Sequence, residues 1–185
     1  MRKYSIRSGR GLGAHIKRTL LLGTMALTQA AGAAQPASAA PAKSAFTGAW
    51  SVQWCDKSQP AADCGGFTVY LVEQGGRLCG AHDGASPGLS RLDEGGDRSV
   101  LGTAVGSTAV LTVQSGRSGG VSLVTVKRQR DALNWLRTET VTPGNGDSDV
   151  IANKAVLRRE KPADVSQERM DAVRAACKTH WGKAP

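Results

Sequence analysis

Phe67-Thr68-Val69-Tyr70-Leu71-Val72-Glu73-Gln74-Gly75-Gly76-Arg77-Leu78-Cys79-Gly80-Ala81 decides the fold. Two apolar runs rich in β-branched and aromatic residues flank Gln74-Gly75-Gly76, where glycine supplies the positive φ that a tight hairpin requires. The pairing read from this turn sets Cys79 opposite Tyr70. The same texture extends outward on both sides: short apolar runs separated by Gly, Asn, Asp and Pro, with no helical stripe until the end of the chain. Strands are expected at Ala49 to Cys55, Phe67 to Glu73, Arg77 to Ala81, Val100 to Val105, Thr108 to Gln114, Val121 to Lys127, Ala132 to Thr140 and Asp149 to Arg159, with a short one near Leu89 to Leu92.

Gly106-Ser107, Ser115 to Gly120 and Pro143 to Asp147 supply further turns, so the links are short and successive strands are expected to be antiparallel neighbours. The fold class is all-β: a single antiparallel meander of about eight strands closing as a small barrel, with one C-terminal α-helix. Alternation places Trp50, Val52, Trp54, Phe67, Val69, Leu71, Leu123, Leu133 and Trp135 inside. After Pro162 the period changes. Asp164 three residues before Gln167 reads as a capping box, and Met170, Val173, Cys177 and Trp181 share one helical face.

Upstream of this domain, Met1 to Arg18 carries six positive charges and no acid, and runs into the apolar stretch Thr19 to Leu27. That is the order of a signal peptide. The stretch is far shorter than the roughly twenty residues that span a bilayer, and small residues follow it. Ala31-Gly32-Ala33 and Ala37-Ser38-Ala39 are both cleavage candidates, and no cysteine follows at lipoprotein distance. The expected organisation is residues 1–40 as signal peptide and leader, 41–160 as the barrel domain and 161–185 as a helical tail docked on it. The mature protein is expected in the periplasm or outside the cell, with no membrane span.

The formal charge of +9 depends on that leader: without its six cations, eighteen Lys and Arg face fifteen acids. A balance of about +3 excludes a nucleic-acid module on composition, and Lys127-Arg128-Gln129-Arg130 and Arg158-Arg159-Glu160-Lys161 read as solvated strand ends. Four cysteines, Cys55, Cys64, Cys79 and Cys177, fit disulfides in an oxidising compartment. Three connectivities are open. Strand geometry favours Cys55–Cys64 across the first connecting loop, leaving Cys79 to meet Cys177. No C-x-x-C is present, and no metal or cofactor is expected.

Phe46-Thr47-Gly48-Ala49-Trp50 opens the domain and Ala155-Val156-Leu157-Arg158-Arg159 closes it. With the meander and the late cysteine, these resemble the lipocalin-like (calycin) superfamily and the small exported lipocalin-like domains of bacteria. The resemblance implies that Trp50 closes the narrow end of the barrel and that Arg158 or Arg159 stacks over it. It also implies a small apolar ligand inside.

Sites with chemistry are sparse. Gly116-Arg117-Ser118-Gly119-Gly120 matches the G-x-S-x-G pattern of a serine hydrolase, but a β run follows where a nucleophile elbow needs a helix. Asn145, Asp147 and Asp149 begin like a calcium loop, yet Val150 and Val156 stand where its glycine and glutamate belong. His82-Asp83 reads as a solvent-exposed loop pair. The long connection from Gly84 to Arg98 carries Asp93, Glu94 and Asp97, and long loops at a barrel mouth are where recognition concentrates. His82, Asp83, Asp93, Glu94 and Asp97 are therefore the candidate binding loop. No catalytic residue is assigned. The expected function is a non-enzymatic binding module for a small apolar ligand or an envelope protein; the alternative is an inhibitor or immunity factor for an envelope enzyme, and a remote alternative is a serine hydrolase acting through Ser118.

Overall fold

The structure, a computed structural model, describes residues 45–182. The signal, its cleavage candidates and the last three residues lie outside that range.

Nine strands form one antiparallel sheet: β1 Gly48–Trp54, β2 Gly65–Gln74, β3 Arg77–Ala85, β4 Leu92–Glu94, β5 Val100–Val105, β6 Thr108–Gln114, β7 Val121–Gln129, β8 Ala132–Thr142 and β9 Lys154–Arg159. Each of the eight barrel strands pairs with its chain neighbours, β3 passing directly to β5, and β9 returns to β1 through Trp50↔Arg159 and Ser51↔Arg158 to close the ring. β4 is the ninth strand. It lies outside the ring, on the half of β3 that β5 leaves free. The short strand expected near Leu89 to Leu92 is thus β4, shifted to Leu92–Glu94, while Pro87–Leu89 forms a 3₁₀ turn. β9 begins at Lys154, later than expected, because the Arg137 N–H takes the Asn153 carbonyl and Val150 is held by a side chain described below.

The β2–β3 hairpin pairs Gln74 with Arg77 across a two-residue turn, Gly75 at φ 58° and Gly76 at φ 77°. Positive φ at both positions gives the turn whose twist matches the strands. Consequently Cys79 faces Val72, and Tyr70 faces Ala81, two positions from the expected register.

The barrel interior is filled. Phe46, Trp50, Phe67, Val69, Leu71, Leu111, Leu133, Trp135 and Leu157 are at most 1% exposed and belong to one packed cluster. Val52 and Trp54 are only half-buried at its margin. Leu123 points the other way. It pairs with outward Thr112, whereas Ser122, Val124 and Val126 face Val113, Leu111 and Ala109 across the inner wall. The phase of β7 is set by β6, and a leucine on the wrong parity stays outside.

Helix α1, Gln167–Gly182, lies against the outer face of β2 and β3. Ser166 is its cap: the Ser166 Oγ accepts the Arg169 N–H at 3.2 Å. Asp164 is in the preceding turn, its N–H bonded to the Lys161 carbonyl, and so is not the cap. Met170, Val173 and Cys177 are buried in a second cluster with Ala49, Tyr70, Cys79 and Ala81, and Trp181 packs beside them. The bridge Cys79–Cys177 ties this helix to the sheet, and Cys55–Cys64 closes the β1–β2 loop, with Cα separations of 5.7 and 4.4 Å. Two disulfides are the mark of an oxidising, extracytoplasmic setting. No described helix is long and apolar enough to cross a membrane.

Candidate functional site

The five residues expected to form a recognition loop gather at one end of the barrel, in two layers. His82 and Asp93 make the inner layer and are fully buried. His82 is not a solvent-exposed loop residue: β3 extends to Ala85, so its ring packs 5.8 Å from that of Phe67. Asp93, on β4, is turned inward by the same alternation.

Asp93 is a hub. Its Oδ1 accepts the N–H groups of Gly116 at 2.9 Å and Arg117 at 3.2 Å; its Oδ2 accepts the Ser115 hydroxyl at 2.8 Å and the Val150 N–H at 3.0 Å. Four donors fill a carboxylate's lone-pair sites. His82 Nε2, 3.5 Å from Oδ1, has no hydrogen bond, while Nδ1 lies 3.1 Å from Ser99 Oγ. Burial pushes the Asp93 carboxyl up, but the His82 imidazole and the bonds from Val150, Ser115 and Arg117 together hold it well below the ordinary carboxylate range. Asp93 therefore remains ionised and staples β4, the β6–β7 hairpin and the segment before β9 into one floor.

Ser99, His82 and Asp93 thus stand in the order of a hydrolytic triad. Ser99 is 8% exposed, and the Gly95 backbone lies so close that a Cβ there would overlap both Ser99 Oγ and the His82 ring. Ser118, the serine of the G-x-S-x-G stretch, is buried in the hairpin between two strands, and its Oγ accepts the Gly120 N–H at 3.1 Å.

Asp83, Glu94 and Asp97 make the outer layer, where Arg169 from the first turn of α1 joins them. Its guanidinium donates to Asp97 Oδ1 at 2.6 Å, Asp83 Oδ1 at 3.0 Å and the Gly95 carbonyl at 2.6 Å. Asp83, Glu94, Gly95 and Arg169, with Tyr70, Gly96 and Ser166, line an open cleft of about 440 Å3. Burial, then the Asp83 charge, pushes the Tyr70 phenol up to about 12. A second cleft of about 530 Å3 lies on the other side of Asp97, bordered by Ser99, Gln114 and Gly116.

The residues that begin like a calcium loop are engaged in turn and ion-pair contacts: Asp149 forms a two-pronged pair with Arg137 at 2.9 Å, Asp147 meets Arg117 at 2.9 Å, and the Asn145 side-chain Oδ1 accepts the Asp147 N–H. Among the described residues no group of three or more His, Cys, Asp or Glu side chains could hold a metal ion.

At the opposite end, Arg159 stacks on Trp50, its guanidinium carbon 4.2 Å from the ring centroid, while Arg158 points outward beside Ala132. The arginine over the tryptophan is Arg159. Sequence reading missed Ser99, Ser115, Tyr70 and Arg169. Ser99 and Ser115 carry no signal beyond their places at strand ends, and Arg169 resembles any charged residue of an amphipathic helix.

Comparison with known proteins finds no matching family model, no matching curated protein and no matching solved structure.

Proposed function

We propose that the chain is a non-enzymatic, exported binding module with a lipocalin-like barrel, and that it recognises an envelope protein at its surface instead of carrying a small apolar molecule inside. One observation carries the choice: the barrel interior is occupied by its own side chains, with Trp50, Trp135, Phe67 and Phe46 at 1% exposure or less. A carrier needs a concave apolar chamber of several hundred Å3, and these rings stand where the chamber would be.

The expected binding loop supports an inhibitory or immunity role toward an envelope enzyme. Asp93 fixes it from below and Arg169 clamps it from the side, so a partner meets a surface already ordered. Pre-organisation lowers the entropic cost of association. Asp83, Glu94 and Asp97 give that surface an acidic character.

Native mass spectrometry of protein purified from the periplasm without reductant tests this. The expected spectrum shows the mature chain with two disulfides, no small apolar adduct, and a retained polypeptide partner whose loss follows Glu94→Lys. A stoichiometric apolar molecule bound to the chain would overturn the reading.

A further inference from the structure

The two basic stretches, 28 residues apart at Arg130 and Arg158, meet at the Trp50 end of the barrel. β8 joins them: Arg128 pairs with Leu133, and Ala132 pairs with Arg158. Lys127 stands beside them, opposite Thr108 at the β5–β6 turn. The convergence is felt electrostatically, since burial and then the Arg128 charge push the Arg159 guanidinium down.

These cations lack partners. Among the described residues, ion pairs engage Arg117, Arg137, Arg169 and Arg174, and none of Lys127, Arg128, Arg130 or Arg158 takes part in one. The buried Nε of Arg128 has no acceptor at all. Asp131 is adjacent but unpaired, and Glu160 is bonded to the Ser51 hydroxyl.

Two further features share this end. Arg130 sits in the two-residue turn at φ 54°, a conformation that glycine or asparagine adopts with less strain. Val105, in the neighbouring hairpin whose Ser107 carbonyl accepts the Arg128 N–H, is 80% exposed. An apolar tip within a group of unpaired cations has the composition of a peripheral membrane contact, with the side chain entering the headgroup layer and the cations facing phosphates.

We propose that this end of the barrel, through Lys127, Arg128, Arg130, Arg158 and the Val105 tip, docks on the phosphate headgroups of an anionic bilayer. The proposal is independent of the partner assigned to the acidic end and would leave that end free.

Co-sedimentation of the mature, oxidised protein with vesicles tests it. Binding is expected to phosphatidylglycerol-containing vesicles at low salt, with little to pure phosphatidylcholine vesicles, and to fall at high salt. Arg130→Gly relieves the turn and Arg158→Gln alters an exposed side chain, so the double variant should fold as well as the parent by thermal melting. It should bind about twenty-fivefold more weakly, at about fivefold per cation. Val105→Ser should weaken binding by about threefold. Lys57→Gln with Arg91→Gln, the same charge loss at the opposite end, should leave binding unchanged. Equal binding to neutral and anionic vesicles, equal losses from the two double variants, or binding to polyglutamate but not to anionic vesicles would each overturn it.

Discussion

The Arg159 guanidinium sits over the Trp50 ring, and it also donates to the Thr47 carbonyl at 2.8 Å and the Ala45 carbonyl at 3.4 Å. One side chain therefore covers the indole that plugs the barrel and ties down the strand leading to it. Arg159→Ala should lower stability by about 1 to 2 kcal/mol in urea unfolding, combining the lost ring contact and hydrogen bonds. Arg159→Lys should recover only part, since an ammonium cannot stack while donating twice. Arg158→Ala should stay within about 0.5 kcal/mol of the parent.

Asp93→Ala removes a buried carboxylate and strands the Gly116, Arg117 and Val150 N–H groups that it accepts. A loss of about 3 to 5 kcal/mol is expected, the scale for breaking a buried charged network. Hydrogen exchange should locate it at the β6–β7 hairpin and the segment before β9.

The same carboxyl predicts acid sensitivity. Its folded pKa is depressed, so its contribution is complete above the unfolded value of about 3.9 and is lost as pH falls through the folded value. Stability should decline below about pH 4 in the parent. Asp93→Asn, already weakened at neutral pH, should show a visibly shallower acid slope in the same titration.

Tyr70 offers an optical probe, because Tyr4, the other tyrosine, falls in the expected signal. The phenolate absorbance of the mature chain should emerge near pH 12. Asp83→Asn removes the negative charge beside the phenol and should bring the midpoint down. Here the acid's folded pKa is raised, so stability is lost as pH climbs from about 10, the free phenol value, through the folded one.

The disulfides should differ in weight. Chain-entropy reasoning gives at most about 4.7 kcal/mol for the long Cys79–Cys177 loop and about 2.7 kcal/mol for Cys55–Cys64. Replacing Cys79 and Cys177 together by alanine should lower Tm more than replacing Cys55 and Cys64. It should also raise hydrogen exchange in α1 selectively, where Cys177 lies between Val173 and Trp181.

The barrel was legible because half-buried antiparallel strands write their burial as a two-residue period, visible in Ala109, Leu111 and Val113 and in Phe67, Val69 and Leu71. The Gly75-Gly76 turn named the hairpin but not its centre, and a one-residue shift of the centre moved Cys79 from Tyr70 to Val72. The disulfide pairing survived, since it needed only proximity. Leu123 shows the limit of composition: parity belongs to the neighbouring strand. The acidic loop was found as a place, yet its roles were not. Whether Asp93 faces solvent or three backbone donors depends on Gly116 and Val150, residues 23 and 57 positions away. Arg169 was hidden similarly, because a solvent-facing helical arginine and a clamp differ only in what lies opposite.

The β1–β9 seam places Trp50 against Arg159, so the opening strand of the domain waits for the closing one. On the export proposed above, with the amino end leading, the ring stays incomplete until residue 159 has crossed. The bond between Cys79 and Cys177 waits longer still. Early oxidation could join Cys55 to Cys64 correctly while synthesis or passage continued, but any premature capture of Cys79 would pick a wrong mate, and the late thiol would arrive to find none.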